Sequence, residues 1–129
     1  MTIIATSDLH GTLPKIKTEF DLFLICGDIC PVWNHSRHYQ EEWLNTDFAD
    51  WIKSLPYKNT LSRVVCIAGN HDYYLEGAGK RQVTKFKKNC GNQFKANKMS
   101  ISIHTSDRSR SASDAIIQHN ITFIGICLD

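Results

Sequence analysis

The sequence predicts an α/β fold built on parallel strands, and three observations carry that reading. Three short apolar runs, 2-TIIATS-7, 21-DLFLIC-26 and 64-VVCIA-68, each give way to a turn containing Asp8, Gly27-Asp28 or Gly69-Asn70. Between the second and third lies 39-YQEEWLNTDFADWIKSL-55, a stretch with one apolar face. Carboxylate, imidazole and amide side chains then collect just after the runs, where open parallel sheets place their ligands.

Each element has its own justification. The three runs lack the polar alternation of half-exposed strands, so each is expected to be buried on both faces. The first connection, Gly11 to Phe20, is too short for a full crossover helix, which leaves at most one helical turn over Pro14–Thr18. In the second connection Leu44, Phe48, Trp51 and Leu55 recur at helical spacing, Ile52 widens the stripe, and Pro56 stops it. Strand, helix and parallel strand make a βαβ unit. Downstream, 80-KRQVTKFKKNC-90 is expected to be a basic helix and 104-HTSDRSRSASD-114 a loop, and 121-ITFIGICLD-129 is another apolar run. No internal repeat is visible.

Composition narrows the class further. With 129 residues and 42% hydrophobic content the chain has the size and apolar share of one domain, residues 1–129. A formal net charge of +2 neither demands nor excludes a phosphate-bearing partner. The 5 cysteines are odd in number and Cys26, Cys66 and Cys127 sit in apolar runs, so they read as reduced thiols. No secretory leader pattern follows Met1, and no apolar run reaches the ~18 residues of a membrane span. A soluble cytoplasmic protein with no membrane partner is the expectation.

Asp8, His10, Asp28, Asn70 and His71 fall at three successive strand ends. Taken singly, Asp8, Asp28 and Asn70 are ordinary turn residues and His10 an ordinary surface histidine. Together they offer carboxylate oxygen, imidazole nitrogen and amide oxygen, a donor set that suits manganese, iron or zinc better than calcium or a thiolate-bound metal.

The set 8-DLH-10, 27-GD-28 and 69-GNHD-72, in this order and each after a strand, resembles the first three motifs of the calcineurin-like metallophosphoesterases. With 49-ADWIKSLPY-57 leading into it, the stretch 67-IAGNHD-72 looks most like the smaller metallophosphoesterase-domain branch, and the resemblance covers about residues 2 to 76. It implies a β-sandwich of two packed sheets with flanking helices. It implies that Asp8 and His10 hold one divalent metal, that Asp28 bridges two, and that Asn70 holds the second. Two dications about 3.5–4 Å apart repel each other, and a shared carboxylate offsets that repulsion. On this resemblance a metal-activated water attacks a phosphodiester or phosphomonoester. His71 then serves the leaving group, and Asp72 orients and tunes the His71 imidazole.

The sequence also departs from the family pattern. The family takes its remaining ligands from histidines in a later Gly-His and a later Gly-His-X-His, and no glycine in this chain precedes a histidine. His104 and His119 read as structural. The chain is therefore expected to be the amino-terminal half of such a domain, with one metal position complete and a second incomplete. Two expectations remain open: a phosphoesterase whose missing ligands come from a complementing chain or a longer parent, and a truncated non-catalytic metal-binding or interaction domain. An open strand over 121–128 adds an expectation of self-association. Between Lys80 and Lys98 there are 7 Lys or Arg and no Asp or Glu. A solvated helix face accounts for this first, and attraction of a phosphorylated or nucleic-acid partner second.

Overall fold

The computed structural model describes residues 1–97, in which four parallel strands form one sheet in the order β1-β2-β3-β4. These are β1 (Ile3–Thr6), β2 (Leu22–Cys26), β3 (Arg63–Ile67) and β4 (Phe94–Asn97). Register is set by apolar rows across the sheet, with Ile4 beside Phe23, Phe23 beside Val64, and Val64 beside Phe94. A sequential order of parallel strands makes every crossover step the same way, so right-handed connections gather on one face. The long helical stretch and α4 (Lys80–Cys90) both pack there, on Phe23, Ile25, Val64, Cys66 and Phe94.

The 39–55 stretch is helical as its periodicity predicts, but it is built in three pieces. Helix α1 (Arg37–Trp43) runs into one π-helical turn, Leu44–Phe48, and then into α2 (Ala49–Ser54). Widened turns leave backbone carbonyls short of partners, and two side chains serve them here. Asn45 Nδ2 donates to Glu41 O at 2.7 Å and Thr46 Oγ1 to Glu42 O at 2.8 Å. Asn45 Oδ1 also accepts from Asn89 of α4 at 2.8 Å, fixing the two helical layers against each other. Leu55 leaves the helix with ψ 146°, the extended geometry a following proline requires.

Within the limit of one helical turn expected over Pro14–Thr18, none forms; the segment crosses as irregular chain, with Leu13 and Ile16 against the core and Trp51 Nε1 donating to Pro14 O at 2.9 Å. Other expectations are corrected. The strands are not buried on both faces. β2 and β3 alternate fully and partly buried residues, and Ile3 on β1 is 49% exposed, because the described helices cover only one side. Two elements went unpredicted, β4 and the short helix α3 (Tyr73–Gly77). A second sheet is not among the described residues, and the 104–114 loop, the 121–129 run, His104 and His119 lie outside them. Among the described residues Cys30, Cys66 and Cys90 are buried thiols, pushed up by that burial. No helix among the described residues is long and apolar enough to cross a membrane. The α/β class and parallel sheet agree with the predicted fold.

Candidate metal centre

Beyond β1 and β2 the chain continues as two loops running side by side. Asp8 N–H donates to Gly27 O at 3.2 Å, His10 N–H to Asp28 O at 2.9 Å, and Gly11 N–H to Ile29 O at 2.9 Å. This pairing holds three residues in the left-handed region: Asp8 at φ 54°, His10 at 46° and Asp28 at 50°. Among the described residues no other non-glycine residue has positive φ. Each such position costs about 1–2 kcal/mol, and strain of this kind persists where the surroundings impose it, commonly at functional sites.

The three strained residues are also the ones whose ligand atoms converge. Asp8, His10 and Asp28 each offer a ligand atom, and these lie within 4.8 Å of one another. His10 Nε2 stands 3.8 Å from Asp8 Oδ1, and His10 Nδ1 is buried with no hydrogen-bond partner. Asp28 is oriented by the His71 N–H, which donates to its Oδ1 at 2.9 Å. Two carboxylates and an imidazole nitrogen without a protein partner fit a divalent transition metal. The cluster therefore suits one such ion as it stands.

The third loop, after β3, is brought in by two buried side chains. Asp72 is fully buried and its carboxylate accepts from Ile29 N–H at 2.9 Å, Cys30 N–H at 2.8 Å and Gly69 N–H at 2.7 Å. Sequence reasoning set Asp72 against the His71 imidazole; the carboxylate instead ties the loop after β2 to the loop after β3. Gln40 of α1, also fully buried, donates to His71 O at 2.9 Å and accepts from Tyr74 N–H at 2.9 Å. Gly69 is needed for the approach, since any side chain there would overlap the Asp28 carboxylate. Gln40 escaped the sequence reading, although the signal was present: it stands four residues before Leu44, a polar interruption of the apolar stripe.

These anchors set His71 beside the cluster. Its ring centroid is 5.3 Å from that of His10 in an edge-on contact, and its Nδ1 is buried without a hydrogen-bond partner. Asn70 is exposed at the turn next to it. Sequence reasoning also passed over His35, whose ring lies 6.1 Å from that of His71 and 5.4 Å from that of Tyr73.

Residues 1–120 match the family model described as calcineurin-like phosphoesterase. No curated protein and no solved structure matches the chain. The family match extends well past the 2–76 stretch that carries the sequence motifs and takes in the described strands, the left-handed triad and the clamped third loop. By that match the chain belongs to the calcineurin-like phosphoesterase family.

Proposed function

We propose that the protein is a metal-dependent phosphoesterase that hydrolyses a phosphodiester or phosphomonoester. The observation that carries this reading is the convergence of Asp8, His10 and Asp28 on left-handed backbone, with His71 against them. Asp8, His10 and Asp28 would hold one divalent ion, of the manganese, iron or zinc type, and Asp28 with Asn70 would supply part of a second position. A bound ion supplies Lewis acidity to the phosphoryl oxygens and acidifies water at neutral pH.

The remaining roles belong to the chain's own side chains. His71, in its protonated form, gives a proton to the ester oxygen as the phosphorus–oxygen bond breaks, so that the leaving group departs as an alcohol rather than an alkoxide. Asp72 and Gln40 are positioning residues. Gln40 holds the His71 carbonyl and Asp72 holds the loop that carries it at Gly69, so that the imidazole stays beside His10 and does not swing to solvent. Asp28 has both a ligating and a positioning role, because it also accepts the His71 N–H. The buried thiols of Cys30, Cys66 and Cys90 fit a reducing, cytoplasmic setting.

One observation favours a second reading. No glycine precedes a histidine in residues 1–129, so ligands that complete the second position come from a complementing chain or a longer parent, or the protein is a metal-binding module without turnover. Hydrolysis of bis(p-nitrophenyl) phosphate with added manganese separates the readings. The phosphoesterase reading expects metal-dependent release of nitrophenol that Asp28→Asn abolishes. Tight manganese binding with no hydrolysis would support the module instead.

A further inference from the structure

Helix α4 carries its charge against the preference of its own backbone. Its 11 residues include Lys80, Arg81, Lys85, Lys87 and Lys88, and no Asp or Glu occurs from Lys80 to Lys98. Lys87 and Lys88 sit in the last turn, where the negative end of the helix dipole favours cations. Lys80 and Arg81 sit in the first turn, where the positive end disfavours them, and no acidic residue there offsets them. The cap is neutral as well, with Gln82 Oε1 accepting from Gly79 N–H at 2.7 Å. The helix therefore gains nothing from carrying two cations at its start.

The neighbouring elements do not neutralise this charge. Lys85 Nζ stands 4.0 Å from Glu41 and Asn89 bonds to Asn45, so these two mark the flank of α4 that meets the long helical stretch. Among the described residues no carboxylate lies within ion-pair distance of Lys80, Arg81, Lys87 or Lys88. Lys80, Thr84 and Lys88 recur at every fourth position and share one face, with Arg81 beside them, and all four are exposed. The apolar residues of the helix, Phe86 and Cys90, lie in the core, so this face offers no apolar anchor. Only Ala78 and Gly79 separate α3 from α4. The basic row thus starts at the end of the sheet where the third loop lies and extends about 16 Å toward the other end.

We propose that the solvent face of α4, with Lys80, Arg81 and Lys88 at its centre and Lys85 and Lys87 at its flanks, is a docking surface for the phosphate backbone of a nucleic acid. Lysine ammoniums on flexible stems act as point charges and suit a row of phosphates. Protein interfaces are depleted in lysine and rest on aromatic or aliphatic anchors, which this face lacks. Membrane-surface helices bury their apolar face in lipid, and that of α4 is already covered by the core. Contacts to phosphate carry no sequence information, so the surface binds without reading bases. It lies apart from the triad and does not depend on the phosphoesterase reading.

Fluorescence anisotropy of the full chain with labelled oligothymidylate tests the surface. EDTA is present, so that no metal draws phosphate to Asp8, His10 and Asp28. With about 3–5 phosphate contacts at about 0.7 each in the log–log salt slope, affinity should fall by about 10- to 100-fold between about 50 and 200 mM salt. Lys80→Glu with Arg81→Glu should weaken binding by about 10-fold or more and flatten the slope by about 0.7 for each cation removed. The same change places acids where the dipole favours them, so its urea midpoint should equal or exceed that of the wild type. Should that midpoint fall, Lys80→Gln with Arg81→Gln is expected to give the weakened binding without the fall. No binding at low salt, a flat salt slope, or binding that both variants leave unchanged would overturn the proposal. Phosphatidylserine vesicles or polyglutamate held as tightly as the oligonucleotide would assign the face to a membrane or an acidic protein and overturn the choice of partner. A preference above about 10-fold between oligothymidylate and oligodeoxycytidylate, the size of a base contact, would overturn binding through the backbone alone.

Discussion

At the amino ends of the strands polar groups settle their needs locally and near solvent. Thr2 N–H donates to Asp21 Oδ2 at 2.7 Å, Lys58 Nζ stands 3.5 Å from the same oxygen, and Gln93 Nε2 donates to Asn59 O at 2.9 Å and Ser62 O at 3.1 Å. At the carboxyl ends the pattern reverses. Three non-glycine residues are left-handed, a carboxylate is fully buried, and His10 and His71 each keep a buried nitrogen without a partner. One sheet thus has a relaxed end and a strained one. The strain is imposed and not incidental, because the same short strands close without it at their other end. What imposes it is the pairing of the first two loops, reinforced by Asp72 and Gln40.

The largest effect on stability is expected at Asp72. Its removal in Asp72→Ala leaves the buried N–H groups of Ile29, Cys30 and Gly69 without an acceptor. At about 1–3 kcal/mol for each of the three orphaned donors, a loss of about 3–9 kcal/mol is expected in urea unfolding. A loss below about 1 kcal/mol would mean that the strained end does not depend on this clamp. His71→Ala should then give the largest effect on chemistry with little on stability. Turnover should fall by about 10²–10⁴, the usual range for a general acid, while manganese affinity is kept. The loss should shrink for esters with acidic leaving groups, which need little protonation. A uniform loss across a series of aryl esters would place His71 in binding instead.

Much of this was legible in the sequence, and the misses share a cause. The first three strands show as apolar runs, and the amphipathic stretch shows by its spacing, because both signals are local. DLH, GD and GNHD stand out by composition and order, so the triad could be named before its geometry was known. β4 was hidden because 94-FKAN-97 is short and mixed, and only its seat beside β3 makes it a strand. Asp72 is expected to serve the imidazole of its sequence neighbour, whereas its carboxylate accepts backbone N–H groups. Its true partners, Ile29 and Cys30, lie more than 40 positions away, a separation no local pattern encodes. The left-handed backbone was likewise invisible, since Asp and His tolerate it without requiring it and here the pairing of two distant loops selects it.

Metal binding sharpens the comparison within the strained end. Asp28 belongs to the convergent triad, whereas Asn70 is exposed at the turn. Altering a residue that merely orients a ligand typically costs about 10- to 100-fold in metal affinity, so Asp28→Asn, which removes a ligating charge, should weaken manganese by about 100-fold or more. Asn70→Ala should change it by less than about 10-fold. Equal effects in calorimetric titration would contradict the asymmetry between the two positions. A smaller effect is expected for Gln40→Leu. It keeps the volume on α1 and leaves His71 O and Tyr74 N–H unserved, for a loss of about 1–3 kcal/mol. Turnover should fall with unchanged metal affinity, since Gln40 touches the His71 loop and not the triad.

The smallest effect belongs to the relaxed end, at Asp21. The Thr2 N–H above all, and Lys58 in support, outweigh partial burial and hold its carboxyl below the usual carboxylate range. A carboxyl depressed in the folded state stabilises the protein above the unfolded value, and that contribution disappears as pH falls through the folded value. The stability gap between the wild type and Asp21→Asn should therefore be constant from neutral pH down to about 5 and close below about 3.9, where unfolded aspartate protonates. Salt should narrow the Lys58 part of it, because that pair is partly open to water. A gap that widened on acidification would reverse the sign and show Asp21 to be destabilising in its charged form. If the substitution instead altered manganese binding or phosphate ester turnover, the two ends of the sheet would be coupled, and their separation into a relaxed end and a strained end would fail.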